Sequence, residues 1–442
     1  MYTNKDLRDL LIPLIVEQIL SAFMGIADTF MVSNVSQEAL SGVSLVDTIN
    51  NVMVTVMMAM AASGTVVCAQ YLGRKDDMSA KQAAGQVIFC GIAAAVVPTC
   101  FCMIFTSPLL KLLYGGIEAD VMKAASDYFL ITALSYPFFA LQLSNAAILR
   151  AEGETRLPMY VSLGTNLLNI AGNALLIFGL GLGVRGAAFA TLCSRFAGAV
   201  ILQVSVSTGK RILRVDSAAL LLPKWRFIRL ILRLGIPNSF ENGMFRFGKL
   251  IVASTVSTLG TAAISAQAMI QLIEGIHGYP GEAVGTGLMT VAGTCMGAGK
   301  PEEAKKYTRK LLLIAECCML VMALLIAFSL KPVVIIASLS EEAAGLFIRI
   351  MILSLFVKSV LWVCSFVLPN TLRAAGDAMY CSVVSAASMW VFRVGMSYVL
   401  CRHFGVGLVG VWIGWYTDWL CRDIFYIGRY RSGKWINKKV IE

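Results

Sequence analysis

Glu17 and Asp28 stand eleven residues apart in a stretch that is otherwise almost wholly apolar. Eleven residues make about three turns of an α-helix, so the two carboxylates share one face. Further along, Asn166, Asn169 and Asn173 are spaced three and four apart, which aligns three amides on one stripe. Carboxylate and amide oxygens together suit a proton or a hard cation such as sodium, with Asp28 the ligand expected for Na+. The plainer role for the amides is hydrogen bonding between helices. A third group mixes signs: Glu241, Arg246 and Lys249, then Glu274, His277 and Glu282, and finally Arg393. Charged groups inside apolar segments are costly, so they pair with one another or face a watery cavity. One account pairs Arg246, Lys249 and Arg393 with Glu241, Glu274 and Glu282 as a structural network. The other makes Glu241 a proton carrier or a substrate anchor. His277 follows Glu274 by three residues on the same face, where a hydrogen-bonded core histidine is the simpler reading.

Other chemistry is not written here. The chain has no GxxxxGK[ST] phosphate loop, no GxSxG and no HExxH. Two histidines and twelve dispersed cysteines, Cys68, Cys90, Cys193, Cys317, Cys318 and Cys401 among them, make neither a metal nor a haem site. The thiols read as free and buried. The chain is therefore not read as an enzyme, and no cofactor is expected beyond a coupling ion, H+ or Na+.

The elements that must position these groups follow from composition. Of 442 residues, 58% are hydrophobic and 14% charged, with a mean hydropathy of +0.75. A soluble domain carries about a quarter charged residues, so a water-soluble globule is excluded. If roughly 20 apolar residues cross a bilayer, the chain allows about a dozen crossings. Apolar runs between polar or Gly/Pro punctuation predict twelve helical spans, over 9–33, 42–71, 84–113, 121–149, 157–180, 185–207, 227–259, 262–296, 307–331, 343–372, 378–401 and 405–429. The net charge of +11 would point to nucleic acid in a soluble protein. Here Lys and Arg gather in alternate loops, such as Lys210 to Arg233 and Lys300 to Lys310, which places both termini in the cytoplasm.

The sequence also repeats itself. A shift of 224 residues sets Ile12-Pro13 on Ile236-Pro237, Glu17 on Glu241, Gly73 on Gly297 and Ala80-Lys81 on Ala304-Lys305. Leu149-Arg150-Ala151 meets Leu372-Arg373-Ala374 one residue out of step, and Gly181, Gly183 and Gly186 fall on Gly405, Gly407 and Gly410. The organisation expected is an amino-terminal six-helix lobe (1–207), a basic cytoplasmic linker (208–226) and a carboxyl-terminal six-helix lobe (227–442). Six spans is an even number, so the halves are parallel repeats, an architecture of secondary transporters. By the same shift, Arg393 takes the place of Asn169, where it would repel a cation.

Particular motifs resemble a family. Pro13, Glu17 and Ala27-Asp28-Thr29, with Ala69-Gln70-Tyr71-Leu72-Gly73, resemble the first two spans of the multidrug and toxic compound extrusion (MATE) transporters. Leu149-Arg150 with Gly153-Glu154-Thr155-Arg156, Asn166-Leu167-Leu168-Asn169 and Ile177 to Gly183 resemble their fifth-span region. Leu372-Arg373, Gly376-Asp377 and Tyr430 to Trp435 extend the likeness to the carboxyl end. The resemblance implies twelve helices in two lobes around a central cavity, and export of amphipathic, mostly cationic drugs in exchange for sodium or protons. It carries the family's acidic residue of span one onto Asp28, the span-seven Glu onto Glu241 and a span-ten Asp onto Asp377. The family's second acidic position in span five falls on Asn173, which removes a charge and favours proton coupling through a single carboxylate. Arg246 and Lys249 are additions to the pattern, and they admit a zwitterionic or anionic substrate. The expectation is a monomeric antiporter of the cytoplasmic membrane, in contact with lipid and a small organic substrate and not with nucleic acid. A lipid or lipid-linked precursor flippase of the same superfamily is the alternative, supported by Arg246, Lys249 and Arg393.

Overall fold

A computed structural model describes residues 1–208, 211–215, 222–438 and 440–441, without the side chains of residues 23, 26–30 and 33. The described residues form helices joined by short turns, in two compact units, Tyr2–Ser239 and Phe240–Glu442. Part of the basic linker, 209–210 and 216–221, lies outside the described residues.

The first unit holds α1 (Asn4–Ser33), α2 (Gln37–Gly73), α3 (Asp77–Tyr114), α4 (Ala119–Leu134), α5 (Tyr136–Ala151), α6 (Arg156–Asn173) and α7 (Gly183–Thr208). Its helix starts are set by polar side chains that satisfy otherwise orphaned backbone N–H groups. Thr3 and Asp6 cap each other's backbone at α1, in the reciprocal capping box, and Ser36 and Asp76 cap α2 and α3. The single span expected over 121–149 is two helices, because Pro137 at the start of α5 has no N–H to continue α4. Phe129, Tyr136, Val46 and Ala133 fill the core where α2 and α3 pack on α4 and α5, while α1 packs on α6 and α6 on α7.

The second unit begins within α8 (Trp225–Ser257) and continues through α9 (Thr261–Gly297), α10 (Pro301–Ile336), α11 (Glu341–Phe366), α12 (Leu368–Ala374), α13 (Ala378–Ser388), α14 (Ser397–Arg402) and α15 (Leu408–Arg431). Pro369 breaks α11 from α12 as Pro137 breaks α4 from α5. In α9, Gly281 and Gly285 face α11 and α12, where an added Cβ would lie 2.3 Å from Trp362 and 2.6 Å from Asn370. Small residues four apart let helices approach closely, and a side chain at either position would force the pair apart.

Among the described residues, seven helices are long and apolar enough to cross a membrane, by length and composition. Helices α1, α8, α9 and α15, of 30, 33, 37 and 24 residues, have the length but carry Glu17, Glu241, Glu274 and Asp418 within them. At 1.5 Å per residue, each exceeds a hydrocarbon core of about 30 Å.

The repeat is written in the backbone as well as the sequence. Gly181 and Gly183 adopt φ of +65° and +53°, and Gly405 and Gly407 adopt +63° and +65°. Residues with a Cβ avoid that left-handed region, which is why glycine recurs at these turns 224 residues apart.

A candidate functional site in each lobe

In the first lobe two of the three amides of the α6 stripe, Asn169 and Asn173, are buried and joined to α7, while Asn166 is half-buried. Asn173 Nδ2 donates to Asn169 Oδ1 at 3.2 Å, and Asn169 Nδ2 donates to Thr191 Oγ1 at 3.2 Å. Asn169 and Asn173 are fully buried. Directly after Asn173 the helix widens into a π-helical turn over Ala174–Gly179, a distortion that often marks functional sites. Besides α7, α6 packs on α1, which carries Asp28; the side chain of Asp28 lies outside the described residues.

Glu17 does not join that stripe. Arg150 Nη2 donates to both of its oxygens, at 2.7 and 2.9 Å, and so ties α1 to the end of α5. Beside this pair Thr155, buried, donates to the carbonyls of Asp9 and Leu10. The second lobe repeats the device. Arg373 Nη2 donates to both oxygens of Glu241 at 2.8 Å, and Ser382 adds a hydrogen bond at 3.1 Å. Glu17 and Glu241, matched by the repeat, therefore perform the same task on Arg150 and Arg373.

The other second-lobe charges pair differently from the network expected above. Glu274 takes Lys358 at 2.9 Å, and Lys358 Nζ also donates to the Glu274 carbonyl at 2.6 Å, while Ser354 donates to the carboxylate. Arg393, within a π-helical stretch over Met389–Met396, binds Asp418 at 2.7 Å. Arg422 reaches the other oxygen of Asp418 at 2.9 Å, so two guanidinium groups share one fully buried carboxylate. Arg393 lies 4.5 Å from the Phe245 ring centre and 4.3 Å from that of Trp415, and the electron-rich ring faces further neutralise it. His277 Nε2 donates to the Met319 carbonyl at 3.1 Å, a core histidine with a backbone partner. Asp377 is not in mid-span: it precedes α13 and takes Arg429 at 2.7 Å.

Four participants escaped the sequence reading. Lys358 lies in an apolar helix with no acidic residue within reach along it, and only its neighbour in space identifies it. Asp418 and Arg422 are four residues apart in α15, a helical pairing legible in principle. Asn50, which accepts from Tyr136 at 2.6 Å, joins α2 to α5. The cysteines are all free, as expected, but Cys100, Cys193 and Cys317 are exposed rather than buried.

The model of the MatE family matches this chain twice, over residues 13–175 and 237–399. The two matches are offset by the same 224 residues as the internal repeat. The chain belongs to the MatE family. Similar proteins of known sequence include a probable multidrug resistance protein NorM from Thermotoga maritima, 27% identical over 99% of this chain and 94% of that one. An uncharacterized transporter, YisQ, from Bacillus subtilis is 29% identical over 96% of this chain and 94% of its own. Among solved structures, a multidrug resistance MATE family transporter of the MOP superfamily in an outward-facing conformation has a TM-score of 0.91 at 20% identity, over 98% of this chain and 96% of that one. A MOP superfamily transporter from Pyrococcus furiosus, described by the reverse polarity of its binding pocket, has a TM-score of 0.88 at 20% identity, over 97% and 96%. This MatE protein is thus an all-helical membrane transporter with the family's fold.

Proposed function

We propose that this MatE protein is a secondary antiporter of the cytoplasmic membrane, a monomer of twelve spans with both termini inside. It exports small organic molecules in exchange for protons or sodium ions. The names of its relatives, multidrug resistance proteins among them, support export as the activity. The observation that carries the coupling is the packing of α1 on α6, which sets the helix of Asp28 against the buried chain of Asn173, Asn169 and Thr191.

In this mechanism Asp28 is the titrating or ion-binding group, and the α6 amides supply neutral oxygens beside it. A charged carboxylate at membrane depth is expensive, so loading a proton or a cation changes the packing that α1 prefers on α6. The ion shifts the equilibrium between two states by its difference in affinity for them. Glu17 and Glu241 hold the starts of their lobes to Arg150 and Arg373 and carry no proton in the cycle.

The test is export in proteoliposomes. With an imposed proton or sodium gradient, wild type should drive accumulation of a fluorescent organic solute. Asp28→Asn, which keeps volume but does not titrate, should lose gradient-driven accumulation while keeping its unfolding temperature. Full accumulation by Asp28→Asn at wild-type expression would remove Asp28 from the coupling. Scrambling of a labelled lipid without solute accumulation would replace export with lipid flipping.

A further inference from the structure

Among the described residues of the second lobe, the buried carboxylates are Glu274, Asp377, Asp418 and Asp423. The first three have cations: Lys358 lies 2.9 Å from Glu274, Arg429 2.7 Å from Asp377, and Arg393 and Arg422 share Asp418. Asp423 forms no ion pair with a described residue, and Ser365 alone hydrogen-bonds to its carboxylate. What surrounds it is oxygen. Helix α11 packs on α15, and the buried Ser365 of α11 sets its Oγ 2.7 Å from Asp423 Oδ1. The same Oγ lies 2.8 Å from the carbonyl oxygen of Trp419, one turn earlier on α15. Of the ionisable groups around the site, Arg422 spends its guanidinium on Asp418 and Ser385. Glu316 of α10 and Cys364 of α11 bring no positive charge.

A hydroxyl carries one hydrogen, so Ser365 satisfies one of its two acceptors at a time. Three oxygens thus meet around a single hydrogen, beside a buried carboxylate with no counter-charge, which is a costly arrangement at membrane depth. Asp418 shows the contrast. Ser388 donates to its carbonyl and to its carboxylate in the same way, but there two guanidinium groups supply the positive charge. At Asp423 a small ion would do so. A proton on Asp423 lets the carboxyl donate to Ser365 Oγ while Ser365 donates to Trp419. A sodium ion takes the carboxylate, hydroxyl and carbonyl oxygens as ligands, the donors that hard cations prefer. We propose that Asp423, Ser365 and the Trp419 carbonyl form a binding site for a hard monovalent cation, H+ or Na+, loaded as a coupling ion at a place distinct from Asp28. Its role as a coupling ion rests on the antiport reading; its binding does not.

The test is infrared difference spectroscopy of the purified full-length protein in lipid. One exchange runs between acid and alkaline pH in choline chloride, the other between choline and sodium chloride at fixed pH and ionic strength. We expect a carboxyl band that responds to an exchange, is absent from Asp423→Asn and is kept in Asp28→Asn. A response to pH alone identifies the ion as a proton, and a response to sodium at fixed pH identifies it as sodium. Asn keeps the volume and donates to Ser365 as a protonated carboxyl would, so Asp423→Asn should hold the wild-type unfolding temperature. Ser365→Ala removes one of the three oxygens and should shift the midpoint of the response, and it carries the test if Asp423→Asn does not fold. In proteoliposomes Asp423→Asn should reach a lower steady accumulation of a fluorescent organic solute under the same gradient, because fewer ions drive each cycle. A spectrum that loses no band in Asp423→Asn, or a midpoint unmoved in Ser365→Ala, would overturn the site. Wild-type accumulation by a folded Asp423→Asn would overturn its role as a coupling ion. If the wild type accumulates no solute under either gradient, the export reading fails while the spectra still decide the site.

Discussion

Replacing Glu241 by Gln tests whether this carboxylate reads substrate charge or holds the lobe together. The structure has it bound by Arg373 at 2.8 Å through both oxygens, with side chains 11% and 15% exposed. Gln keeps the volume and one acceptor oxygen but leaves Arg373 without a counter-charge. Removing one member of a buried pair costs about 3–5 kcal/mol, and the residual exposure places this case near the lower end, about 3 kcal/mol. For a lobe of this size each kcal/mol shifts the melting temperature by about 2–4 °C, so a fall of about 6–12 °C is expected. Glu17→Gln should act alike through Arg150, slightly less because those side chains are 17% and 18% exposed. The two pairs share no partner, so the double variant should lose the sum of the single effects. The assay is fluorescence-detected unfolding of the purified variants, with export of one cationic and one neutral solute in parallel. Export of both should fall together, in proportion to folded protein. A shift below about 2 °C, or selective loss of the cationic solute, would refute a tethering role and return Glu241 to charge recognition.

Other substitutions separate burial from geometry and test the coupling site. Asp418→Asn should destabilise by about 3–5 kcal/mol, because it strands two buried guanidinium groups; a double variant with Arg393→Met should recover part of the loss, measured as melting temperature. Arg185 makes a bond to each oxygen of Asp127, both at 3.0 Å, but is 59% exposed, so Arg185→Ala should cost less than about 1 kcal/mol by the same measurement. Asn173→Asp should create sodium-dependent thermal protection if Asp28 lies beside it, since two adjacent carboxylates either share a proton or hold a cation. Absence of any sodium effect in wild type and variant alike would speak against sodium coupling through this lobe.

Much of this molecule is determined by sequence alone. Hydropathy and length dictate membrane helices, because lipid offers the backbone no partners and apolar runs of about 20 residues fit a helical crossing, whereas a strand crossing needs only about ten. The 224-residue repeat is equally local information, carried by Glu17 and Glu241, by the Arg150 and Arg373 motifs, and by glycines whose left-handed turns no other residue adopts easily. The helix breaks at Ser135 and Val367 were also available in Pro137 and Pro369. What only the tertiary structure decided is which charge meets which. Glu241 and Arg373 are 132 residues apart, Glu274 and Lys358 84. Pairings at that distance depend on how each helix is rotated about its axis against its neighbour, which no spacing within one helix encodes.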